Sequence, residues 1–352
     1  MVKILIKDAT IVTCDDSRPL IKSGYVYIED DVIKDVGEGN PPEEYEIAEL
    51  ILPCKDKIVM PGMISPITYL SLYHLRHDIT PFTNIQELLT TTSKTDAYYS
   101  SLLACIELMK MGVTSVAIMD SYLHESGEAI EKCGLRGYLL YSQHCLKDVK
   151  FIKDFWHNRG GLFKVYGVAF THEEYAQYKD VFEVNYSWRI LIEGVKAVIN
   201  PVERTPQNIW GILSVDHMRN WYKEAVVGIG VSPIYSMARV LDLLSKEHSV
   251  PLNIILKYAT IYPSKCLCED RMGAIAKNFK ADMVIFDCSE PPGWPIPSKL
   301  ESIVELILSN TLKTHTVIVN GEIILDMGEP LYIGTDVIRK AKSKLEEILY
   351  KR

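Results

Sequence analysis

The chain has 352 residues, 47% of them hydrophobic and 24% charged, as soluble globular proteins do. That length suits about two domains, or one barrel with an appendage. A formal net charge of -8 and a pI near 5.7 argue against a nucleic-acid binder, which needs a basic face to neutralise phosphates. No apolar run reaches the length of a membrane span. The start, Met1 to Asp8, alternates charge and apolar residues like a strand, unlike a signal peptide. The eight cysteines show no CxxC spacing, so reduced, buried thiols in the cytoplasm are expected.

Residues 1–58 read as β-rich. Lys3–Lys7, Ala9–Thr13 and Tyr25–Glu29 alternate or run apolar, and Asp30-Asp31 turns the chain into Val32–Val36. From 59 to 275, helical patterns alternate with short apolar runs, as βα repeats do. Asp96 to Met111 predicts a helix capped by Thr95 or Asp96 and stopped by Gly112, followed by the strand Val113–Met119. Glu128–Cys133 predicts a short helix ending at Gly134, ahead of the strand Gly137–Tyr141. Phe163–Phe170, Ile190–Ile192, Ala197–Ile199 and Val226–Ile229 read as further strands, and Met237–Ser245 and Leu252–Tyr258 as helices. Strand texture returns at Ala281–Asp287, and Thr314–Val319 and Glu322–Leu325 flank Asn320-Gly321, where both residues tolerate positive φ. Two β-rich ends around a mixed middle predict that the termini pair into one sheet domain. Val337, Ile338, Ala341, Leu345, Ile348 and Leu349 share one face of a predicted helix over 335–352.

The informative stretch is Lys57 to Leu72, in which an apolar run ends on Pro61-Gly62 and a second begins at Met63. It resembles the first barrel strand of the metal-dependent amidohydrolase superfamily, in the branch of cytosine deaminase, adenosylhomocysteine-type deaminases and triazine chlorohydrolases. The resemblance extends to the N-terminal stretches 6–16 and 25–37, to Ala104–Val116, and to Ala259-Thr260. It also covers Met272-Gly273-Ala274-Ile275, Lys280-Ala281-Asp282-Met283-Val284 and Val319-Asn320-Gly321. It implies an α/β fold: a distorted, shortened (β/α)8 TIM-type barrel over 59–275, with a small β-sandwich from 1–58 and 276–334. Any active site would then lie at the carboxyl ends of the barrel strands.

The family's chemistry does not carry over position by position. Where the family has His-x-His, two of its zinc or iron ligands, this chain has Ile67-Thr68-Tyr69, and no His-x-His occurs anywhere in it. The family's His-x-x-Glu corresponds to Ile190–Glu193, which keeps only the glutamate. Asn200-Pro201-Val202 stands for the strand end after the fourth histidine, whose segment is missing. Ser232 replaces the aspartate of Gly-x-Gly-Thr-Asp. Isoleucine and threonine are no ligands for zinc, and tyrosine and serine would have to lose a weakly acidic proton. The expectation is a protein without a metal cofactor, its emptied site lined by Thr68, Tyr69, His172, Glu193 and Ser232. A carboxylate there could hold a cationic ligand, or pair with Lys196 or Arg204.

His74 and His77, with Asp78, have the i, i+3 spacing of an alternative metal site, against a solvated loop pair. His172 follows a strand and suits either a catalytic group or a surface helix start. His144-Cys145 raises a thiol nucleophile without a third group to orient it, and Asp216-His217 reads as an exposed helix pair. Three functions follow. The first is a non-catalytic amidohydrolase-like protein that binds a small molecule or a partner. The second is a working hydrolase of non-peptide C–N bonds, such as cyclic amidines, rebuilt from His172, Glu193 and the 74–78 cluster. The third is an assembly role as a homodimer, the state common in the family.

Overall fold

The computed structural model describes residues 2–78, 85–182, 185–189, 198–201, 211–214, 225–231 and 235–350. The chain divides into two compact units. One comprises Met1–Ile64, Leu108–Thr114 and Ser236–Leu331; the other comprises Ser65–Glu107, Ser115–Tyr235 and Tyr332–Arg352.

Strands from both ends of the chain share one nine-stranded sheet. Its early members are Lys3–Val12 (β1), Leu20–Glu29 (β2), Val32–Glu38 (β3), Leu50–Pro53 (β4) and Lys57–Pro61 (β5). The two short runs expected at the start are thus one strand, with Asp8 at φ 62° marking an irregularity between them. The period of two sorts its side chains. Ile4, Ile6 and Ile11 join Val26, Ile28, Ile33 and Val59 in one core, while Leu5 packs on the opposite face with Tyr25 and Tyr27.

The eight-stranded sheet begins with Met63–Thr68 (β6), Val113–Ile118 (β7), Arg136–Tyr141 (β8) and Phe163–Ala169 (β9). It continues through Asn185–Arg189 (β10), Val198–Pro201 (β11), Gly211–Ser214 (β12) and Ala225–Gly228 (β13), in chain order across the sheet. The first sheet is completed by Met283–Asp287 (β14), Lys313–Val319 (β15), Glu322–Asp326 (β16) and Glu329–Pro330 (β17). In it, β14 runs antiparallel to β5 and β1 parallel to β5.

β7, β8, β9 and β10 are mutually parallel, as βα repeats require. β11 then reverses, antiparallel to both β10 and β12. Only eight residues, 190–197, separate β10 from β11, and a connection that short suits antiparallel neighbours, whereas a parallel crossover takes a dozen or more. The mixed α/β class holds, and the all-parallel repeat breaks at this reversal. Helix Lys94–Lys110 begins two residues earlier than predicted, with the Ser93 hydroxyl accepting from the Asp96 N–H as its cap. The predicted helix at 128–133 extends back to Leu123. No helix of the described residues is long and apolar enough to cross a membrane.

Asn320 (φ 54°) and Gly321 (φ 75°) turn β15 into β16 as the sequence predicts. A Cβ on Gly321 would overlap the Asp30 carbonyl, and the backbone there is left-handed. Gly321→Ala is therefore expected to cost more than about 2 kcal/mol in urea unfolding, and a loss under about 0.5 kcal/mol would contradict this packing.

Candidate functional site

The parallel strands β7, β8 and β9 place their carboxyl ends along one edge, and the exit of β6 is tied to it. Ile67, Thr68 and Tyr69 are all buried. Thr68 forms a parallel bridge with Gly230, in which the Tyr69 N–H donates to the Gly230 carbonyl and the Gly230 N–H to the Ile67 carbonyl, each at 3.0 Å. The Ser65 hydroxyl lies 2.6 Å from the Thr68 hydroxyl and accepts from the Ile229 N–H at 3.1 Å. Gly228 allows this close approach, because a Cβ there would overlap the Ile67 backbone.

Two carboxylates fix the next turn, the 3-10 helix Leu70–Leu75. Asp120, two residues beyond β7, accepts from the Ser71 hydroxyl at 2.7 Å, the Ser71 N–H at 3.3 Å and the Ser126 hydroxyl at 2.9 Å. It thereby satisfies an N–H that helix starts leave unpaired. Ser101 lies 2.9 Å from Ser126 and extends the chain of hydroxyls. Burial pushes the Asp120 carboxyl up to about 6, against the lowering effect of the Ser71 and Ser126 bonds. Glu107 uses one oxygen for the Tyr73 hydroxyl at 2.5 Å and the other for the Tyr235 N–H at 2.9 Å. Tyr235 in turn donates its hydroxyl to the Tyr69 carbonyl at 3.0 Å, and the Tyr73 and Tyr235 rings meet edge to face at 5.1 Å. Burial, and then the Glu107 bond, raise the Tyr73 hydroxyl above its usual range.

Thr68 is committed to Ser65, while His172 is exposed at the start of helix His172–Tyr178, capped by Thr171. Glu193 and Ser232 lie outside the described residues, as do Ile190, Lys196, Arg204 and the pair Asp216-His217. His74 is buried with Nδ1 2.8 Å from the Ser100 hydroxyl, and His77 is exposed beyond the end of the 3-10 helix. The expected strand end at Asn200-Pro201 is corrected by the reversal of β11. Pro201 pairs with Tyr186 near the start of β10, so it lies away from that strand's carboxyl end. Beside Cys145, whose thiol burial pushes up to about 11, the His144 ring packs edge-on against Phe170 and is lowered by burial. That pair has neither the lowered thiol nor the cationic neighbour of an activated nucleophile.

A metal of the family's kind does not fit the donor set at the exit of β6. Ile67 offers no donor atom, Thr68 is bonded within its own strand, and the backbone of Tyr69 closes the seam to Gly230. Among the described residues no three His, Cys, Asp or Glu side chains gather where they could hold an ion. The groups that organise this edge, Asp120, Glu107, Ser71 and Tyr235, were missed by motif reading. Asp120 alone carried a signal, as the first charged residue after the apolar run Val113–Met119.

The amidohydrolase family model matches residues 198–324. The 5-methylthioadenosine/S-adenosylhomocysteine deaminase of Thermoanaerobacter pseudethanolicus is 24% identical over 413 residues, covering 93% of this chain and 94% of that one. Two solved structures share the fold. Triazine hydrolase from Arthobacter aurescens has a TM-score of 0.79 at 14% identity, covering 98% of this chain and 100% of its own. The adenosine deaminase from Xanthomonas campestris, solved with bound zinc, has a TM-score of 0.76 at 13% identity, covering 98% and 99%. With the opening strand, the closing hairpin and the intervening motifs in the family's order, the chain is similar to the amidohydrolase superfamily across most of its length.

Proposed function

We propose that this chain is an amidohydrolase-fold protein that has given up metal-dependent hydrolysis and works by binding a small molecule or a protein partner. The observation that carries the reading is the donor set at the exit of β6, where buried Ile67 and Tyr69, joined through their backbones to Gly230, stand at the positions that the resemblance gives to two imidazoles. The family's hydrolysis relies on a metal that brings the pKa of bound water near neutrality, and these residues supply no such site. The break in the parallel repeat supports the same reading. The alignment to the Thermoanaerobacter deaminase runs over 413 residues against the 352 of this chain, and β11 reverses where a longer connection would keep the strands parallel. All eight cysteines are free thiols, which suits the cytoplasm. A homodimer would be the unit that presents the binding surface.

A second reading, hydrolysis from rearranged groups, draws on Asp120, a buried acid at a strand's carboxyl edge with a raised pKa. Its hydrogen bonds to Ser71 and Ser126 favour a structural cap over a group free to move protons.

With zinc supplied, the protein is expected to release no ammonia from 5-methylthioadenosine above the buffer rate. Zinc-dependent ammonia release that a chelator abolishes would overturn the first reading. For Asp120, the folded value near 6 stands above the ordinary 3.8, so the fold favours the protonated form. Its stabilising contribution is complete below 3.8 and lost as pH rises through 6. Asp120→Asn stays neutral throughout, so its stability relative to the parent should rise by about 2–3 kcal/mol between pH 4 and pH 7 in urea unfolding. A difference that does not change with pH would contradict the burial assigned to this carboxyl.

A further inference from the structure

Helix Val149–Trp156 turns Ile152 and Trp156 into the core and leaves Phe151 and Phe155 39% and 36% exposed. Adjacent large apolar side chains left in water mark a contact surface more often than isolated ones do. Helix Leu123–Cys133 touches both rings through His124 and also lines an open groove of about 650 Å³, which Tyr98 and Tyr332 wall on its other sides. We propose that the ring ridge of one copy seats in this groove of a second copy, and the reverse, in a two-fold dimer. The proposal rests on the reading that a homodimer presents the binding surface, and it adds where the copies meet.

The ridge is ordered by its own chain. Lys147, Phe151, Phe155 and Arg159 recur every four residues, the spacing of one helix face. The Lys147 ammonium lies 5.4 Å from the Phe151 ring centre, the two rings stack at 5.6 Å and 17°, and the Arg159 guanidinium lies 4.4 Å from the Phe155 ring centre. His124 meets both rings edge to face at 5.1 Å and accepts from the Trp156 Nε1–H at 3.1 Å. Glu131 holds the guanidinium at 2.6 and 3.2 Å. Rings fixed in this way lose little freedom on docking. A nucleic-acid strand needs open ring faces for its bases, whereas cations and the neighbouring ring cover these. Ring edges carry the positive part of the quadrupole, which suits a groove walled by tyrosines and by Glu128 and Glu131. Lys150 and Lys153, on the ridge helix, form no ion pair among the described residues; Asp154 opposes them, and Asp148 is committed as the helix cap. Ridge and groove flank the same helix, so a two-fold axis beside it sets each ridge in the other copy's groove, basic against acidic.

The test is sedimentation velocity of the full chain, in which a species of twice the 40.0 kDa chain mass is expected at about 10 μM. Phe151→Ser with Phe155→Ser should leave a monomer. Lys150→Glu with Lys153→Glu, and separately Glu128→Lys, should each weaken self-association about tenfold. Mixed in equal amounts, these two charge variants should regain the parent's affinity, because each ridge then faces a groove of opposite sign. Reversal of exposed Lys22 and Lys277 to Glu should change nothing. A parent that stays monomeric at about 100 μM, a dimer untouched by the ring variant, or a mixture no tighter than its components overturns the proposal. The ammonia assay addresses the exit of β6 alone, so this surface and the loss of hydrolysis fail separately.

Discussion

The exit of β6 is held by peptide groups. Two backbone hydrogen bonds to Gly230, a third from Ile229 to Ser65, and the Tyr235 hydroxyl on the Tyr69 carbonyl fix where this strand ends. Each contributes about 1 kcal/mol net, so together they position the strand end without an external ion. The arrangement depends on Gly228, whose missing Cβ lets β13 approach the Ile67 backbone. It also commits the local polar atoms. Ser65 and Thr68 bond to each other, and the Ile67, Tyr69 and Gly230 backbones are occupied. Groups committed in this way hold a fold together and are poor material for binding and activating water.

Around that seam, buried carboxylates act as internal fasteners. Asp120 completes the first turn of the 3-10 helix, and Glu107 joins Tyr73 to the segment at Tyr235. Burial of a carboxyl costs unless several donors meet it, and both have them.

Much of the fold was legible because it rests on local rules. The alternation in β1 and β2, the Asn320-Gly321 turn and the apolar face of the C-terminal helix each follow from side-chain period or backbone freedom. Strand direction was not, because an apolar run of four or five residues reads the same either way. The reversal of β11 therefore displaced Asn200-Pro201 from the edge where a family comparison puts it. The absence of imidazoles at 67 and 69 needed only the sequence. Asp120, Glu107 and Tyr235 are single polar letters in apolar surroundings, and their roles arise from partners far along the chain, such as Ser71 for Asp120. His74 and His77 share an i, i+3 spacing but differ in burial, which spacing alone does not report.

The central claim is that the exit of β6 holds no metal, and elemental analysis tests it most directly. Protein expressed with added zinc and then dialysed is predicted to retain less than about a tenth of an equivalent, since Ile67 and a committed backbone supply no ligand set. Retention of about one equivalent through dialysis, as a dedicated site would show, would contradict the account.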